Sequence, residues 1–371
     1  MNGVDALAGV LRLRPGQACP HGLTNERPDW AGRLARGRLP AELPGLLASV
    51  YSLCGHAQRM CAQMALRAAG AGDVGGDAAA ARSLQRETLA EHLRRIGLDW
   101  PAALACGRSE ASDEALLSLR SCPLLRRPDA GLADTRQWLE RHLLGMSATS
   151  WLERWEHEPG WWSEWSASTS GWLPRLLREA RPLADWPLAA AEPLHVHAGA
   201  APLRQLAASL RTDPGYTRQP RWLDDCAETG CWTRLHEAGS SMPATPWQRL
   251  GARVAELVRL ALPDAPGRAG GGWLAFGALR VADGEGLAWV EMARGLLVHH
   301  AVLDAASGRV AAYRVLAPTE WNFHAEGAVA HALEGLRPAA SGRIAALMAA
   351  YDPCVRFEVE TQLLEEERAH A

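Results

Sequence analysis

The feature that most constrains the fold of this 371-residue chain is a change in the period of its hydrophobic pattern. Over residues 46–69, apolar side chains recur every three to four positions, which predicts an amphipathic helix with a break near Gly55. A second stripe of the same period covers residues 78–98. The first hundred residues are therefore predicted to be mainly helical.

From Gly270 onward the pattern changes to short β-type segments separated by turn clusters. Strands are predicted at residues 273–280, 287–292, 296–303 and 310–316. A last helical region, residues 325–350, runs into Asp352-Pro353, where proline ends the helix. The predicted fold class is α+β, mainly helical, with a small antiparallel sheet in the C-terminal half.

A tryptophan-rich stretch separates these two parts of the chain. Its indoles are interrupted by Glu, Arg and Ser, so the stretch is too charged to span a membrane. Tryptophan fills cores and also anchors interfaces, which leaves two interpretations open: core or lid packing, which is favoured, and a partner-binding patch. The expected organisation is a helical part at 1–100, a divergent Trp-rich helical part at 101–269, and the sheet with the last cysteine motif at 270–371.

Composition excludes several chemistries. All 39 basic residues are arginine, so a phosphate-loop lysine, a pyridoxal Schiff base and a catalytic lysine are absent. Codon bias of a GC-rich genome accounts best for this absence. A net charge of −3 implies no nucleic-acid partner. The chain also has no secretory signal pattern and no apolar run long enough to cross a bilayer, so a cytoplasmic protein without a membrane partner is expected.

Three of the eight cysteines are the main candidates for chemistry. No pair has CxxC spacing, and disulfides are not expected in a cytosolic protein. Cys54, Ala57 and Cys61 project from one helical face, where core packing is the commoner role of a thiol. Cys354 follows Asp-Pro on a predicted tight turn, which suits a ligand whose direction must be fixed.

Two further pairs of residues are candidate metal ligands. His195 and His197 form H-x-H on a predicted strand, where both would face one side, but no third ligand is evident nearby. Cys226 and Cys231 could close a small loop on a metal, although this is the less favoured interpretation. The GxSxG, HExxH and GxGxxG motifs are absent, so standard hydrolase, zincin and dinucleotide-binding sites are not supported.

Four segments, in order along the chain, resemble motifs of one family. That family is the large subunit of nickel-iron hydrogenases, and specifically its shortened relatives of the HupK/HoxV type, which act as maturation scaffolds. The first segment is SLCGHA at residues 52–57, which resembles Arg-x-Cys-Gly-x-Cys. The others are EMARG at 291–295, PTEWN at 318–322 with ALEG at 332–335, and YDPC at 351–354. The resemblance implies a single large-subunit-like domain over residues 1–371.

The departures from the family pattern bear on function. In that family each cysteine motif supplies two thiolates, of which the first binds nickel terminally and the second bridges nickel and iron. Here the two bridging positions carry Ala57 and Phe357, and neither a methyl nor a phenyl group can bind a metal. The resemblance therefore implies a protein that is not an enzyme, and nickel binding is not expected.

The positions that are kept imply a site for an iron fragment. Cys54 and Cys354 would be the metal ligands, and Arg294, Pro318 and Thr319 would line the place where cyanide ligands sit. Cys61 falls on a family histidine position and would add a third soft donor. Arginine's planar fork suits donation to cyanide nitrogen better than lysine does.

The resemblance implies a non-catalytic scaffold in nickel-iron hydrogenase maturation. It would transiently hold iron carrying cyanide and carbon monoxide, receive this unit from maturation factors, and pass it to the apo large subunit. Two alternatives stay open. One is a metal-free paralogue that acts as a protein-interaction chaperone through its Trp-rich centre. The other is a divergent enzyme with a mononuclear metal on Cys54, Cys61 and Cys354.

Overall fold

The structure is a computed structural model that describes residues 9–70, 72, 78–105, 109–127, 129–262 and 272–360. Over these ranges, none of the helices combines the length and the apolar character needed to cross a membrane. The side chains of one large hydrophobic cluster come from the N-terminal, central and C-terminal parts of the chain alike. A smaller cluster packs on the opposite face of the C-terminal sheet.

Nine strands form three sheets in the described part of the chain. The strands are β1 (Val10–Leu13), β2 (Leu23–Asn25), β3 (Glu192–Pro193), β4 (Ala227–Glu228), β5 (Phe276–Ala282), β6 (Glu285–Met292), β7 (Gly295–Leu303), β8 (Val310–Leu316) and β9 (Arg356–Val359). The largest sheet has the order β5-β6-β7-β8 with every pair antiparallel. The small antiparallel sheet predicted in the C-terminal half is confirmed.

The first strand of this sheet starts three residues later than predicted. Trp273 is buried in the helical core, where its indole N–H donates to Glu256 at 2.8 Å. The strand begins only at Phe276, because Trp273 belongs to the packing of the core.

A second sheet, of order β2-β1-β9, was not predicted. Its central strand β1 pairs antiparallel with β2 and parallel with β9, so that Leu11 lies opposite Phe357. Strands of three and four residues carry too little period to be recognised in a sequence. This pairing ties the segment that follows Cys354 to the N-terminal part of the chain. The third sheet is the short parallel pair of β3 and β4.

Helices make up most of the fold, as predicted. The α-helices are α1 (Trp30–Ala35), α2 (Leu43–Val50), α3 (Gly55–Ala69), α4 (Ala78–Arg94), α5 (Trp100–Leu104), α6 (Ser109–Arg120), α7 (Pro123–Arg126), α8 (Leu132–Leu139), α9 (Ala148–His157), α10 (Trp161–Ser168), α11 (Trp172–Ala184), α12 (Ala200–Thr212), α13 (Cys231–Glu237), α14 (Pro246–Ala261), α15 (Pro318–Asn322), α16 (Ala328–Glu334) and α17 (Ser341–Tyr351). The break predicted near Gly55 lies between α2 and α3, where Ser52–Cys54 form a 3₁₀ turn. The predicted last helical region is two helices, α16 and α17.

The tryptophans of the central part pack inside the protein. Trp151 and Trp165 are fully buried and meet edge to face, with ring centroids 5.5 Å apart. Trp162 adds a contact with Trp247 of α14 at 5.2 Å. Of the two interpretations left open by the sequence, the structure therefore favours core packing over an exposed partner-binding patch.

Helix α3, which begins directly after Cys54, packs across strands β6 and β7. The contact is close because Gly286 lies under the helix: a Cβ built on it would be 2.3 Å from the Ala65 carbonyl oxygen and 2.4 Å from the Ala69 nitrogen. The absence of a side chain at Gly286 therefore sets the depth at which α3 sits on the sheet.

Candidate functional site

One cavity of about 190 Å³ brings together segments that lie far apart in the sequence. Its lining includes five of the six predicted site residues: Cys54, Arg294, Pro318, Thr319 and Cys354. The sixth, Cys61, is not among the lining residues. The polar and apolar side chains that complete the wall come mainly from the α2–α3 connection and the Arg27–Trp30 segment.

Cys54 is held at the start of α3. Its thiol accepts a long contact from the Gln58 side-chain N–H, 3.8 Å away. Gln58 Oε1 in turn lies 3.0 Å from His299 Nε2, and the other ring nitrogen of His299 lies 2.8 Å from the Tyr313 hydroxyl. This buried chain of polar groups fixes the side chain next to the Cys54 thiol.

The electrostatic surroundings of Cys54 favour a protonated thiol in the absence of a ligand. Burial raises the pKa of the Cys54 thiol to about 12, and the nearby charge of Arg294 offsets only part of this effect. At neutral pH a metal fragment would therefore have to displace a proton from this sulfur.

A carboxylate closes the N-terminal end of α3 beside Cys54. Glu87 of α4 accepts hydrogen bonds from the backbone N–H groups of His56 at 2.7 Å and Ala57 at 2.9 Å. Burial nevertheless raises the pKa of Glu87. Two amides of the first helical turn, those of His56 and Ala57, are thus already satisfied by this carboxylate.

Cys354 is positioned by the end of α17. Asp352 adopts a left-handed backbone conformation with φ of 53°, and Pro353 then prevents the helix from continuing. The Thr319 hydroxyl donates to the Cys354 thiol at 3.0 Å, and the Cys354 backbone N–H lies 3.4 Å from the same oxygen. Thr319 therefore faces the thiol directly, and this contact defines the direction of Cys354.

Arg294 lies in the two-residue turn between β6 and β7. The following Gly295 has a φ of +130°, and a Cβ there would be 2.6 Å from the Thr229 hydroxyl, so only glycine fits this turn. The guanidinium is 2% exposed and pairs with Glu91 at 3.1 Å and with Asp352 at 3.4 Å. Among the described residues, neither Nε nor Nη2 of this group has a hydrogen-bond partner.

Pro318 and Thr319 open the short helix α15. Proline suits this first position because its missing N–H would be unsatisfied there in any case. The Glu320 carboxylate accepts the Ala317 backbone N–H at 2.9 Å and also pairs with Arg27 at 2.5 Å. These contacts hold Thr319 rigidly at the cavity wall.

The two positions that differ from the family motif lie in different places. Ala57 is fully buried in the first turn of α3. Phe357 is partly exposed on β9 and lines a second cleft of about 430 Å³, which shares Cys354 with the cavity. Cys354 therefore lines both the cavity and the second cleft.

Comparison with known proteins places the chain among characterised sequences. It is 42% identical, over 97% of both chains, to the hydrogenase expression/formation protein HoxV from Cupriavidus necator. The chain belongs to the HoxV/HupK family. HupK proteins from Rhizobium leguminosarum bv. viciae and Bradyrhizobium diazoefficiens are 32% and 34% identical to it, over 93% and 88% of this chain. No protein-family model matches.

Solved structures agree on the fold of this HoxV/HupK-family member. A [NiFeSe] hydrogenase variant from Desulfovibrio vulgaris Hildenborough aligns with a TM-score of 0.52 at 12% identity, over 90% of this chain and 92% of that chain. A second variant of the same hydrogenase gives the same values. The expected fold, that of a nickel-iron hydrogenase large subunit, is thereby confirmed.

The structure does not bring Cys61 to the cavity. Its side chain is fully buried between α3 and the sheet, where the thiol lies 3.4 Å from the Ala288 carbonyl oxygen and 3.9 Å from that of Leu297. Burial raises the pKa of this thiol well above its ordinary value. Cys61 is two helical turns beyond Cys54, and over that distance α3 has passed from the cavity onto the sheet. The expected third soft donor is therefore not available in this family member.

The two weaker metal-ligand pairs are also separated. His195 and His197 lie at a 3₁₀ turn rather than on a strand. His195 pairs with Glu237, and His197 lies 3.5 Å from Glu291, with its ligand atom within 4.8 Å of Glu237 as well. The expected H-x-H pair on one side of a strand is therefore not formed, although Glu237 lies close to both histidines.

The second pair, Cys226 and Cys231, is divided in the same way. Cys231 is fully buried at the start of α13, and Cys226 instead meets His324. The small metal loop between the two cysteines is not formed.

Several residues of the site were not predicted from the sequence. Glu87 and Glu91 stand one helical turn apart on α4 and reach the site from a distant segment. Their spacing of four residues puts both carboxylates on one face of the helix, and this spacing could have been recognised in the sequence. Asp352 directly precedes Pro353-Cys354, yet its contacts with arginines from other elements required the structure.

Proposed function

We propose that this HoxV/HupK-family protein is a non-catalytic scaffold in nickel-iron hydrogenase maturation. It holds an iron unit carrying cyanide and carbon monoxide on Cys54 and Cys354, and then passes the unit to the apo large subunit in the cytoplasm. The names of the relatives, hydrogenase expression/formation proteins, support a role in maturation. The cavity that Cys54 and Cys354 both line supports the proposal that these two thiols hold the iron unit.

The observation that carries the proposal is the unpartnered Nη2 of Arg294 beside two thiols. Glu91 accepts a hydrogen bond from Nη1, and Asp352 lies within ion-pair distance of Nε, which orients the guanidinium and leaves Nη2 without an acceptor among the described residues. A buried donor without an acceptor is costly and calls for an explanation. Cyanide nitrogen is an acceptor of suitable charge for such a donor.

The two thiol ligands, Cys54 and Cys354, suit an iron unit that is bound only transiently. Two thiols can hold one iron, while the methyl group of Ala57 and the phenyl group of Phe357 add no further sulfur. The raised pKa of Cys54 means that its sulfur takes up a proton when the iron departs, which favours release. Since the bridging positions carry no donor, nickel is not part of the proposed cargo.

Exposed apolar side chains at the rim fit the proposed hand-over. Leu53 is 48% exposed and Val50 is 39% exposed, and both line the cavity. Maturation factors that deliver the unit, and the apo large subunit that accepts it, would dock over this rim. The same surface favours the second candidate, a chaperone that binds a partner without metal.

The proposal is tested by replacing each thiol in cells that lack their own copy of the protein. Cys54→Ser and Cys354→Ser should each abolish hydrogenase activity while the variants remain soluble and helical. The matched control is Cys122→Ala, whose thiol is buried but does not line the cavity. Full hydrogenase activity with both serine variants would contradict cargo transfer through these thiols.

A further inference from the structure

A second cluster of ligand-type side chains lies outside the cavity described above. It joins Cys226, which precedes β4, to His324 and Glu326, which lie between α15 and α16. One ligand atom from each residue lies within 4.8 Å of the others. The Cys226 sulfur is 3.1 Å from Nδ1 of His324, a contact between residues 98 apart in the sequence.

The imidazole of His324 faces the Cys226 sulfur with Nδ1. This residue is 1% exposed, and Nδ1 accepts the Glu326 backbone N–H at 3.1 Å, so a metal ion bound through Nδ1 would replace this hydrogen bond. In the described part of the protein, Nε2 has no hydrogen-bond partner.

The cluster opens to solvent through a cleft of about 420 Å³. Cys226, Glu326 and His331 are among the residues that line this cleft. A second group continues from it, since the Cys19 sulfur lies 3.5 Å from Nδ1 of His331. A metal ion would therefore have an approach path flanked by further soft donors.

We propose that Cys226, His324 and Glu326 bind a divalent transition-metal ion of borderline softness, for which Zn²⁺ is the reference. Thiolate, imidazole and carboxylate are its three common ligand types, and three protein ligands leave a fourth position open toward the cleft. Binding converts the Cys226 thiol to a thiolate and so releases one proton per ion. This site goes beyond the proposed function and does not depend on it.

Arg221 sets the affinity of this site. Its guanidinium forms an ion pair with Glu326, so the carboxylate must leave this pair before it can coordinate a metal. Arg221 also places a positive charge near both the thiol and the imidazole. The bound ion is therefore exchangeable, and removal of the guanidinium strengthens binding.

The experiment uses the full chain with Cys54→Ser and Cys354→Ser, so that thiols of the first site do not contribute. Anaerobic, chelator-treated protein is titrated with Zn²⁺ and, for spectroscopy, with Co²⁺. We expect one equivalent of metal, a thiolate-to-cobalt charge-transfer band, and one proton released per ion. His324→Gln should weaken binding by at least about tenfold, Cys226→Ser should remove the band, and Arg221→Gln should tighten binding.

The control is Cys122→Ala in the same background, which should leave stoichiometry and affinity unchanged. Circular dichroism of each variant checks that the fold is kept. The proposal is overturned if the parent protein binds no metal, or if Cys226→Ser keeps the same cobalt band and affinity. In that case the contact between Cys226 and His324 is only a hydrogen bond of the fold.

Discussion

The guanidinium of Arg294 lies beside the carboxylate of Asp352, with Nε 3.4 Å from Oδ2. This pair joins the turn that carries the arginine of the site to the turn that delivers Cys354. Arg253 at 3.1 Å and Arg95 at 3.0 Å contact the same carboxylate. Burial alone would raise the pKa of Asp352, but the three guanidinium groups lower it below its ordinary value. One carboxylate therefore contacts three guanidinium groups behind the cavity, while Glu91 also pairs with Arg294 and Asp99 with Arg95.

Asp352→Asn is predicted to destabilise the protein strongly. The substitution leaves buried guanidinium groups without their shared counter-charge, a loss of about 3–5 kcal/mol in the free energy of unfolding. Urea unfolding of the wild type and the variant at neutral pH measures this loss. Asp283→Asn is the matched control, because Asp283 is 99% exposed in its side chain and pairs with Arg280 at the surface. Equal stability of the two variants would show that Asp352 is not the centre of this network.

Gly286→Ala is predicted to disturb both the fold and the site. The new methyl group would overlap the backbone of α3 at Ala65 and Ala69, so the helix that begins after Cys54 must shift. We expect a loss of about 1–3 kcal/mol in unfolding free energy, measured by urea unfolding. Gly45→Ala is the control, since a Cβ at this position in α2 meets nothing within 4 Å. If both variants unfold alike, the close approach of α3 to the sheet is wrong.

His299 is predicted to make stability depend on pH. Burial lowers the pKa of His299 from 6.5 to about 3, so the folded protein keeps this ring neutral. Below pH 6.5 the unfolded chain binds a proton that the folded chain does not, and stability therefore falls as pH decreases from 6.5 toward 3. The full effect of one such group is about 1.4 kcal/mol per pH unit.

The substitution His299→Gln should remove the contribution of about one proton to the pH dependence of the unfolding free energy. Urea unfolding between pH 7 and pH 5, on either side of the ordinary histidine pKa of 6.5, measures this change. His157→Gln, the same substitution at an exposed position of α9, is the control. An unchanged slope in His299→Gln would mean that His299 takes up its proton in the folded state as readily as in the unfolded one.

The sequence predicted those parts of the site that sit in continuous motifs. Cys54, Arg294, Thr319 and Cys354 each belong to a short segment that resembles the family, and the structure brings these segments to one cavity. Cys61 shows the limit of that approach. Helical spacing put it on the face of Cys54, but only the packing of α3 on the sheet decides whether a thiol faces a cavity or two carbonyl groups.

Contacts between distant segments could not be predicted in the same way. The parallel pairing of β1 with β9 and the contact of Cys226 with His324 join residues that share no local pattern. Hydrophobic period determines which face of an element is buried, but it does not determine which element covers that face. The helices, the strands of the main sheet and the thiols of the site could thus be predicted from the sequence. The contacts between distant segments could not, because they depend on tertiary packing.

Infrared spectroscopy tests the central claim most directly. The protein is purified anaerobically from cells that contain the maturation machinery but lack the hydrogenase large subunit, so that the cargo accumulates. We predict carbon monoxide and cyanide stretching bands in the wild type and their loss in the double variant Cys54→Ser, Cys354→Ser. Wild-type protein without these bands, from cells whose machinery matures hydrogenase when the large subunit is restored, would contradict the account.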